Sequence, residues 1–312
     1  MAGYIKKHYP EATLYFLGRT YTREVVNVSE HVDEFINYDE LEKLNPPERV
    51  RKIKELNLDI CIHVFPQKAV ARLMKKAGVP TRVGTTNRWY HWLYCNTRIA
   101  LSRKNSPLHE AQLNLQLLSF FIEEVHLPLS AIASYYGFTR IPELSVQMKE
   151  VLRSDKFKVI LHPKSKGSAR EWGLDNFNRL IALLPSKQYQ VLISGTKQDA
   201  EHMQSFLAQL GPEVVDLTSR LTLKEFIAVI QHCDSLVAAS TGPLHIAAAL
   251  GKSAIGLYSP KRPIHPGRWG PLGTNAEALV FDEHCLRCAN GQDCDCIERI
   301  EPKRIVDLLE NS

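Results

Sequence analysis

The chain has 312 residues, 44% of them hydrophobic and 23% charged, with a formal net charge of +5. Such a length and balance describe a soluble protein of two ordinary domains, and they exclude a membrane-spanning chain, because no apolar run approaches the roughly 18 residues a span needs. The mild positive charge is compatible with an anionic ligand or membrane surface, but no basic arm or aromatic–basic interleaving points to nucleic acid. No apolar signal core follows Met1, so a reducing cytoplasm is the expected setting.

In chain order, Ala12–Arg19, Val32–Tyr38, Leu58–Phe65 and Thr81–Gly84 read as strands, and Pro47–Leu56 and Gln67–Ala77 as amphipathic helices. Arg88 to Trp92 (RWYHW) is aromatic and basic. It reads either as packing with a solvated arginine or as a patch facing an acceptor or membrane. The spacing predicts one long helix over Leu108–Val125, stopped by Pro128.

A polar stretch from Pro142 to Phe157 is the expected linker, giving domains at 1–150 and 151–312. The second half alternates more cleanly. Strands are expected at Lys158–His162, Gln190–Ser194, Val214–Leu217, Ser235–Ala239 and Ala254–Tyr258. Helices are expected at Leu174–Leu184, Lys197–Leu210, Leu223–His232 and Leu244–Leu250. This regular order implies an α/β protein with two doubly wound parallel sheets, whose ligands bind at the carboxyl ends of the strands.

The most specific stretch is SLVAASTGPLHIAAALG, Ser235 to Gly251. A small apolar strand meets Ser240 and Thr241, which carry capping hydroxyls. Gly242 permits a tight turn, and Pro243 suits the first helical turn. A strand turning sharply into a helix aims backbone N–H groups and a positive dipole end at one point, an anion site fit for phosphate. His245 adds a donor. A second loop, HPKSKGSAREW from His162 to Trp172, also follows a strand and offers Ser165, Lys166, Ser168 and Arg170 to phosphate oxygens. A third turn, Ser194-Gly195-Thr196-Lys197, reads equally as a ligand approach or an ordinary strand–helix connection.

STGPLHIAAALGK, the HPKSKGSAREW loop with the helix DNFNRLIALL, and the tail IGLYSPKRPIHPGRW resemble glycosyltransferase family 9, the ADP-heptose:lipopolysaccharide heptosyltransferases. The resemblance is strong over residues 157–300 and weaker but continuous over 1–125. It implies a GT-B fold of two Rossmann-like domains facing a cleft, with a nucleotide-sugar donor on the C-terminal domain and a lipid-linked saccharide acceptor at the inner membrane surface on the N-terminal domain. It also implies a metal-independent, inverting transfer in which a carboxylate deprotonates the acceptor hydroxyl and the nucleoside diphosphate leaves.

By the same resemblance, Thr241, Gly242 and His245 fall on the diphosphate turn, Ser165 and Lys166 on the phosphate loop, and Leu221 near the nucleobase. Ser240 stands where studied members carry aspartate, and Arg170 where they carry a lysine. Family members open with an apolar strand and a Gly-Asp turn bearing the base, then a helix running into K-x-Y-P. This chain reaches Lys7-His8-Tyr9-Pro10 almost at once, so that strand and aspartate are missing and Met1 reads as an internal methionine of a longer protein. His109 and Glu110 are the remaining candidates on the acceptor side. Two alternatives stand beside transfer of heptose from ADP-heptose to a lipopolysaccharide core. They are a non-catalytic nucleotide-sugar-binding remnant and an enzyme using another nucleotide sugar, with an epimerase or other GT-B enzyme as a third.

Cys61, Cys95 and Cys233 are scattered and read as buried apolar residues. Cys285, Cys288, Cys294 and Cys296 form C-x2-C-x5-C-x-C, which reads either as a structural zinc site or as a loop of free or paired cysteines. The reaction that the resemblance implies needs no cofactor.

Overall fold

The computed structural model describes residues 1–103, 106–167 and 169–312. The chain divides into two compact units, Met1–Gly137 and Phe138–Ser312. The polar stretch from Pro142 onward lies in the second unit and includes a short helix at Val146–Val151, capped by the Ser145 hydroxyl.

In the first unit, β1 (Tyr15–Gly18) and β2 (Glu34–Asn37) form a parallel pair. A separate parallel sheet has the order β3 (Ile60–Ile62), β4 (Thr81–Thr85), β5 (Thr97–Ile99). Its sheet is therefore in two pieces. Phe16 and Ile60, on β1 and β3, stay 43% and 40% exposed. Leu41, Ile53, Leu73 and Met74 pack with Val79 into one core cluster. The first helix, Ala2–His8, is pinned by Tyr4, which is buried and donates its hydroxyl to the Glu124 carbonyl at 2.5 Å.

The expected long helix is shorter, covering Glu110–Gln116. Beyond it the N–H groups of Leu117, Leu118 and Ser119 bond three residues back. The physical reason is the burial pattern. Leu113, Leu115, Leu117 and Leu118 are all buried, and residues two apart cannot share one face of a regular α-helix. The expected helix Lys197–Leu210 is likewise two helices, Lys197–His202 and Gln204–Leu207, parted at the buried Met203.

The second unit holds six parallel strands in the order β11-β10-β9-β6-β7-β8. These are β6 (Phe157–His162), β7 (Tyr189–Ile193), β8 (Val215–Asp216), β9 (Ser235–Ala239), β10 (Ser253–Tyr258) and β11 (Ala276–Val280). β6 and β9 are central, and Val159–Leu161 and Leu236–Ala239 are continuously apolar and buried, as the middles of strands covered on both faces must be. Their side chains join Trp172, Phe177 and Leu180 from one covering helix region and Ile305, Val306 and Leu309 from the helix Pro302–Glu310. Trp172 is fully buried, and its indole N–H donates to the Ile300 carbonyl at 2.9 Å. No helix among the described residues is long and apolar enough to cross a membrane.

Candidate functional site

The sheet of the second unit reverses direction between β6 and β9. The chain runs outward from β6 through β7 to β8, returns to β9 beside β6, and runs outward the other way. In open α/β sheets such a reversal point, where the loops leaving adjacent carboxyl ends part, is the usual ligand position. His162 pairs in register with Ala238, so the loop after His162 and the turn after Ala239 start side by side. These are the two segments that the sequence singled out most strongly.

The turn after β9 leads into the helix Gly242–Ala249, with Thr241 at the N-cap and Pro243 in the first turn. Thr241 is 6% exposed, its backbone is extended, and its side chain makes no cap bond. Its Oγ1 is buried without a hydrogen-bond partner among the described residues. An unpaired buried hydroxyl costs about 1–3 kcal/mol, so this one is held ready for a partner from outside. Gly242 is exposed, and a Cβ built on it would meet nothing within 4 Å. The first N–H groups of the helix thus stand open to an approaching anion. The N–H of His245 donates to the Thr241 carbonyl at 3.4 Å. Ser240 is hydrogen-bonded to Tyr258, whose phenol burial pushes up to about 12.

In the loop after β6, Ser165 is buried. Its hydroxyl donates to the Ala169 carbonyl at 2.7 Å, and its N–H donates to Glu171 Oε1 at 3.0 Å. Lys164 pairs with the same carboxylate. Ser165 therefore shapes the loop. Lys166 is exposed and adopts φ +50, next to Gly167 at φ +76. Left-handed backbone at a lysine is unusual, and it turns the exposed ammonium stem out at the loop tip. Ser168 lies outside the described residues. Arg170 is engaged, donating to the Cys294 carbonyl and pairing with the Asp293 carboxylate, which it holds below the usual carboxylate range. The sequence offered no sign of either acceptor, since Asp293 is 123 positions away. Glu171 was equally overlooked as the residue that shapes this loop.

The turn after β7 is built differently. Thr196 caps the helix Lys197–His202 in a reciprocal box. Its hydroxyl donates to Asp199 Oδ2 at 2.7 Å, and its N–H donates to the same atom at 2.8 Å. A Cβ on Gly195 would meet Asp199 Cβ at 3.1 Å and Met203 and Thr218 at 3.4 Å. Close packing thus accounts for this glycine. Ser194 Oγ lies 2.9 Å from His162 Nδ1 and ties the turn to β6; burial pulls the His162 imidazole down to about 4. Leu221 is half-buried in the connection that precedes the helix Leu223–Gln231.

In the first unit, His109 and Glu110 both have structural work. His109 is buried and caps its helix, its Nδ1 accepting the Ala111 N–H at 3.1 Å. Glu110 accepts Arg103 Nε at 2.5 Å. The RWYHW segment opens a helix, Trp89–Tyr94, that leaves Trp89 and Trp92 62% and 59% exposed. Lys68 lies over the Trp89 ring and Arg98 over the Trp92 ring, each at 4.6 Å. His91, within the same segment, is fully buried. The segment therefore combines a packed histidine with an exposed aromatic and cationic face. The four clustered cysteines also come together, their sulfurs within 4.8 Å of one another.

Comparison with known proteins agrees with this architecture. The pattern of glycosyltransferase family 9 (heptosyltransferase) matches residues 49–296. A Haemophilus influenzae protein whose assigned name is no finer than glycosyltransferase is 25% identical over 287 residues, 89% of this chain and 82% of that protein. Lipopolysaccharide heptosyltransferase 2 of Salmonella typhimurium is 30% identical over 154 residues, 46% of this chain and 43% of that enzyme. The solved ADP-heptose lipopolysaccharide heptosyltransferase II of Escherichia coli superposes with a TM-score of 0.74 at 20% identity, covering 99% of this chain and 92% of that one. Heptosyltransferase WaaC of Escherichia coli, solved with ADP, gives 0.72 at 14% identity, covering 99% and 94%. These two likenesses establish the fold, the GT-B type expected from the sequence.

Proposed function

We propose, from the premise that the chain belongs to glycosyltransferase family 9 and is a glycosyltransferase, that it transfers heptose from ADP-heptose to a lipopolysaccharide core saccharide with inversion. One observation carries the donor half of this reading, the buried, unpartnered Thr241 hydroxyl at a helix start that Gly242 leaves open. The helix N–H groups and Thr241 receive the diphosphate, with Lys166 and His245 supplying further donors. As the glycosidic bond breaks, negative charge gathers on the departing diphosphate, and donors already aimed at it lower the barrier without reorganising. Arg170 keeps its charge near this loop while tethered to Asp293, so it contributes through the loop's shape as well as its field.

The acceptor half rests on the exposed Trp89 and Trp92 with Lys68 and Arg98 above their rings. Aromatic faces pack on sugar rings and lipid interfaces, and the cations suit phosphorylated saccharides or anionic headgroups. That supports a cytoplasmic enzyme working at the inner membrane face. The supporting names are those of relatives: heptosyltransferases of lipopolysaccharide, and a structure with ADP.

Binding without transfer is the second reading. It is favoured by the commitment of His109 and Glu110 to a helix cap and to Arg103, which leaves neither poised as a base. Calorimetric titration with ADP-heptose, ADP-glucose, UDP-glucose and GDP-mannose tests the donor, and release of nucleotide with heptose-deficient lipopolysaccharide tests transfer. Selective binding of ADP-heptose with acceptor-dependent ADP release is expected. Selective binding without release supports the second reading. Tighter binding of another sugar nucleotide replaces the donor, and no binding at all overturns the site.

A further inference from the structure

The segment from Asp282 to Cys296 is held together without an ordinary core. Every side chain in it is exposed except the four cysteines, and Leu286, its largest apolar residue, is 77% exposed. Cys288, Cys294 and Cys296 are buried, and Cys285 is half-buried. They form a cluster of their own. A segment that buries so little apolar surface cannot offset its ordering entropy unless something cross-links it.

The backbone converges the four sulfurs on one point. Cys285 stands at the N-cap of the helical turn Leu286–Ala289, which carries Cys288. Gly291, at φ +71, reverses the chain, with its N–H on the Cys288 carbonyl at 3.0 Å. Cys294 then lies in irregular backbone and Cys296 at the start of a turn; both are buried, while Asp295 between them is exposed. The one-residue gap is thus compatible with shared ligation. Cys294 Sγ lies 3.4 Å from Cys285 Sγ and 3.0 Å from Cys296 Sγ, and all four sulfurs fall within 4.8 Å. A tetrahedral ion with sulfur at about 2.3 Å sets its ligands about 3.8 Å apart, inside that spread. An iron–sulfur cluster interposes several irons and needs a wider ring. Two disulfides would join the sulfurs in pairs and need no common centre.

We infer that Cys285, Cys288, Cys294 and Cys296 bind one divalent ion of the zinc class, a structural centre that closes this loop. On binding, each thiol yields its proton to water and its sulfur lone pair to the ion, which is neither oxidised nor reduced. The loop so closed presents the Cys294 carbonyl and Asp293 carboxylate that hold Arg170. The ion is therefore a clamp on the loop after β6. This inference stands apart from the donor assignment, because metal content is read without donor or activity.

The test uses the full chain, produced without a histidine tag in zinc-supplemented medium. Elemental analysis should give one zinc per chain, released by a mercurial reagent. Protein loaded with cobalt(II) should show the intense visible bands of a tetrahedral tetrathiolate. Cys288→Ser with Cys296→Ser should abolish both signals. Because that variant can fail to fold, the wild-type protein carries the decision. Less than a tenth of an equivalent of zinc with no cobalt bands overturns the inference, as does peptide mass analysis showing disulfides among these four residues.

Discussion

Two strand–helix turns of one sheet, after β7 and after β9, share a local plan and differ in how they end. Each follows an apolar strand and places a threonine at the N-cap beside a glycine. Thr196 satisfies itself through Asp199, three residues on, and Gly195 is packed against that residue and its neighbours. Thr241 has leucine at the matching position, Leu244, no cap bond, and open space at Gly242. A helix start that has already paired its orphan groups has little left to offer an anion. One that keeps them unpaired carries a cost in the free protein that a ligand can relieve. The contrast separates a structural turn from a candidate binding turn more sharply than the presence of glycine does.

Acid should give the largest effect, and it bears on the self-sufficient turn. Burial pulls His162, which tethers Ser194, and His63 of the first unit down to about 4 from an ordinary 6.5. The unfolded chain therefore takes up a proton first as pH falls. Their contribution is complete above about pH 6.5 and is lost progressively down to about 4. By pH 5 the loss is about 2 kcal/mol for a fully buried histidine, which describes His63 better than the partly exposed His162. Urea unfolding at pH 7.5 and 5 should show this fall, and His63→Gln should flatten it. An unchanged difference in that variant would remove His63 from the account.

The two glycines offer a reciprocal exchange. Gly195→Ala forces a Cβ into a packed site and should destabilise the fold by about 1–3 kcal/mol, with donor affinity nearly unchanged in the folded fraction. Gly242→Ala should leave the melting temperature close to wild type and weaken donor binding tenfold or more, because its methyl group occupies the space a phosphate would take. Equal losses of affinity in both variants would erase the distinction between the turns.

The threonines repeat the exchange with a smaller effect. Thr196→Val loses the capping box and about 1 kcal/mol of stability. Thr241→Val removes an unpaired buried hydroxyl, so stability should rise by about 1 kcal/mol while donor affinity falls five- to tenfold. Denaturant midpoints and calorimetry on the same preparations read both. A destabilised Thr241→Val would mean that its hydroxyl is already bonded within the free protein.

These contrasts also mark what the sequence could disclose. Ser235–Ala239, read as a strand from small apolar residues alone, is a strand over those residues, because a central strand buried on both faces leaves an unmistakable run. The short edge strand Thr97–Ile99 and the helix Trp89–Tyr94 had no such run. The Leu108–Val125 pattern misled because a stretch of leucines fits several windings, and only tertiary packing chooses among them. In the site, the turn at Thr241 stood out, while the turn at Thr196 read equally as a ligand approach or an ordinary connection. The residues that distinguish them, Asp199 and Leu244, were visible, but whether a side chain reaches back to its cap is a matter of rotamer and packing. The hold of Asp293 on Arg170 had no local spacing to reveal it.

The smallest effect concerns the loop beside the open turn. Lys166 sits at φ +50, where a side chain costs roughly 1 kcal/mol that glycine escapes. Lys166→Gly removes that strain, but its freer unfolded chain returns part of the gain, so a net rise of about 0.5 kcal/mol is expected. Its donor affinity should fall two- to fivefold with the lost charge, and the loss should shrink as salt is added, since an exposed ammonium is screened. Lys166→Asn, which also tolerates left-handed backbone, should lose affinity similarly and gain less stability. Such a pattern would mean that the strained conformation is maintained for the charge it presents. Gains in both stability and affinity would mean that the conformation belongs only to the loop's own packing, and the anion site would then narrow to the turn at Thr241 and Gly242.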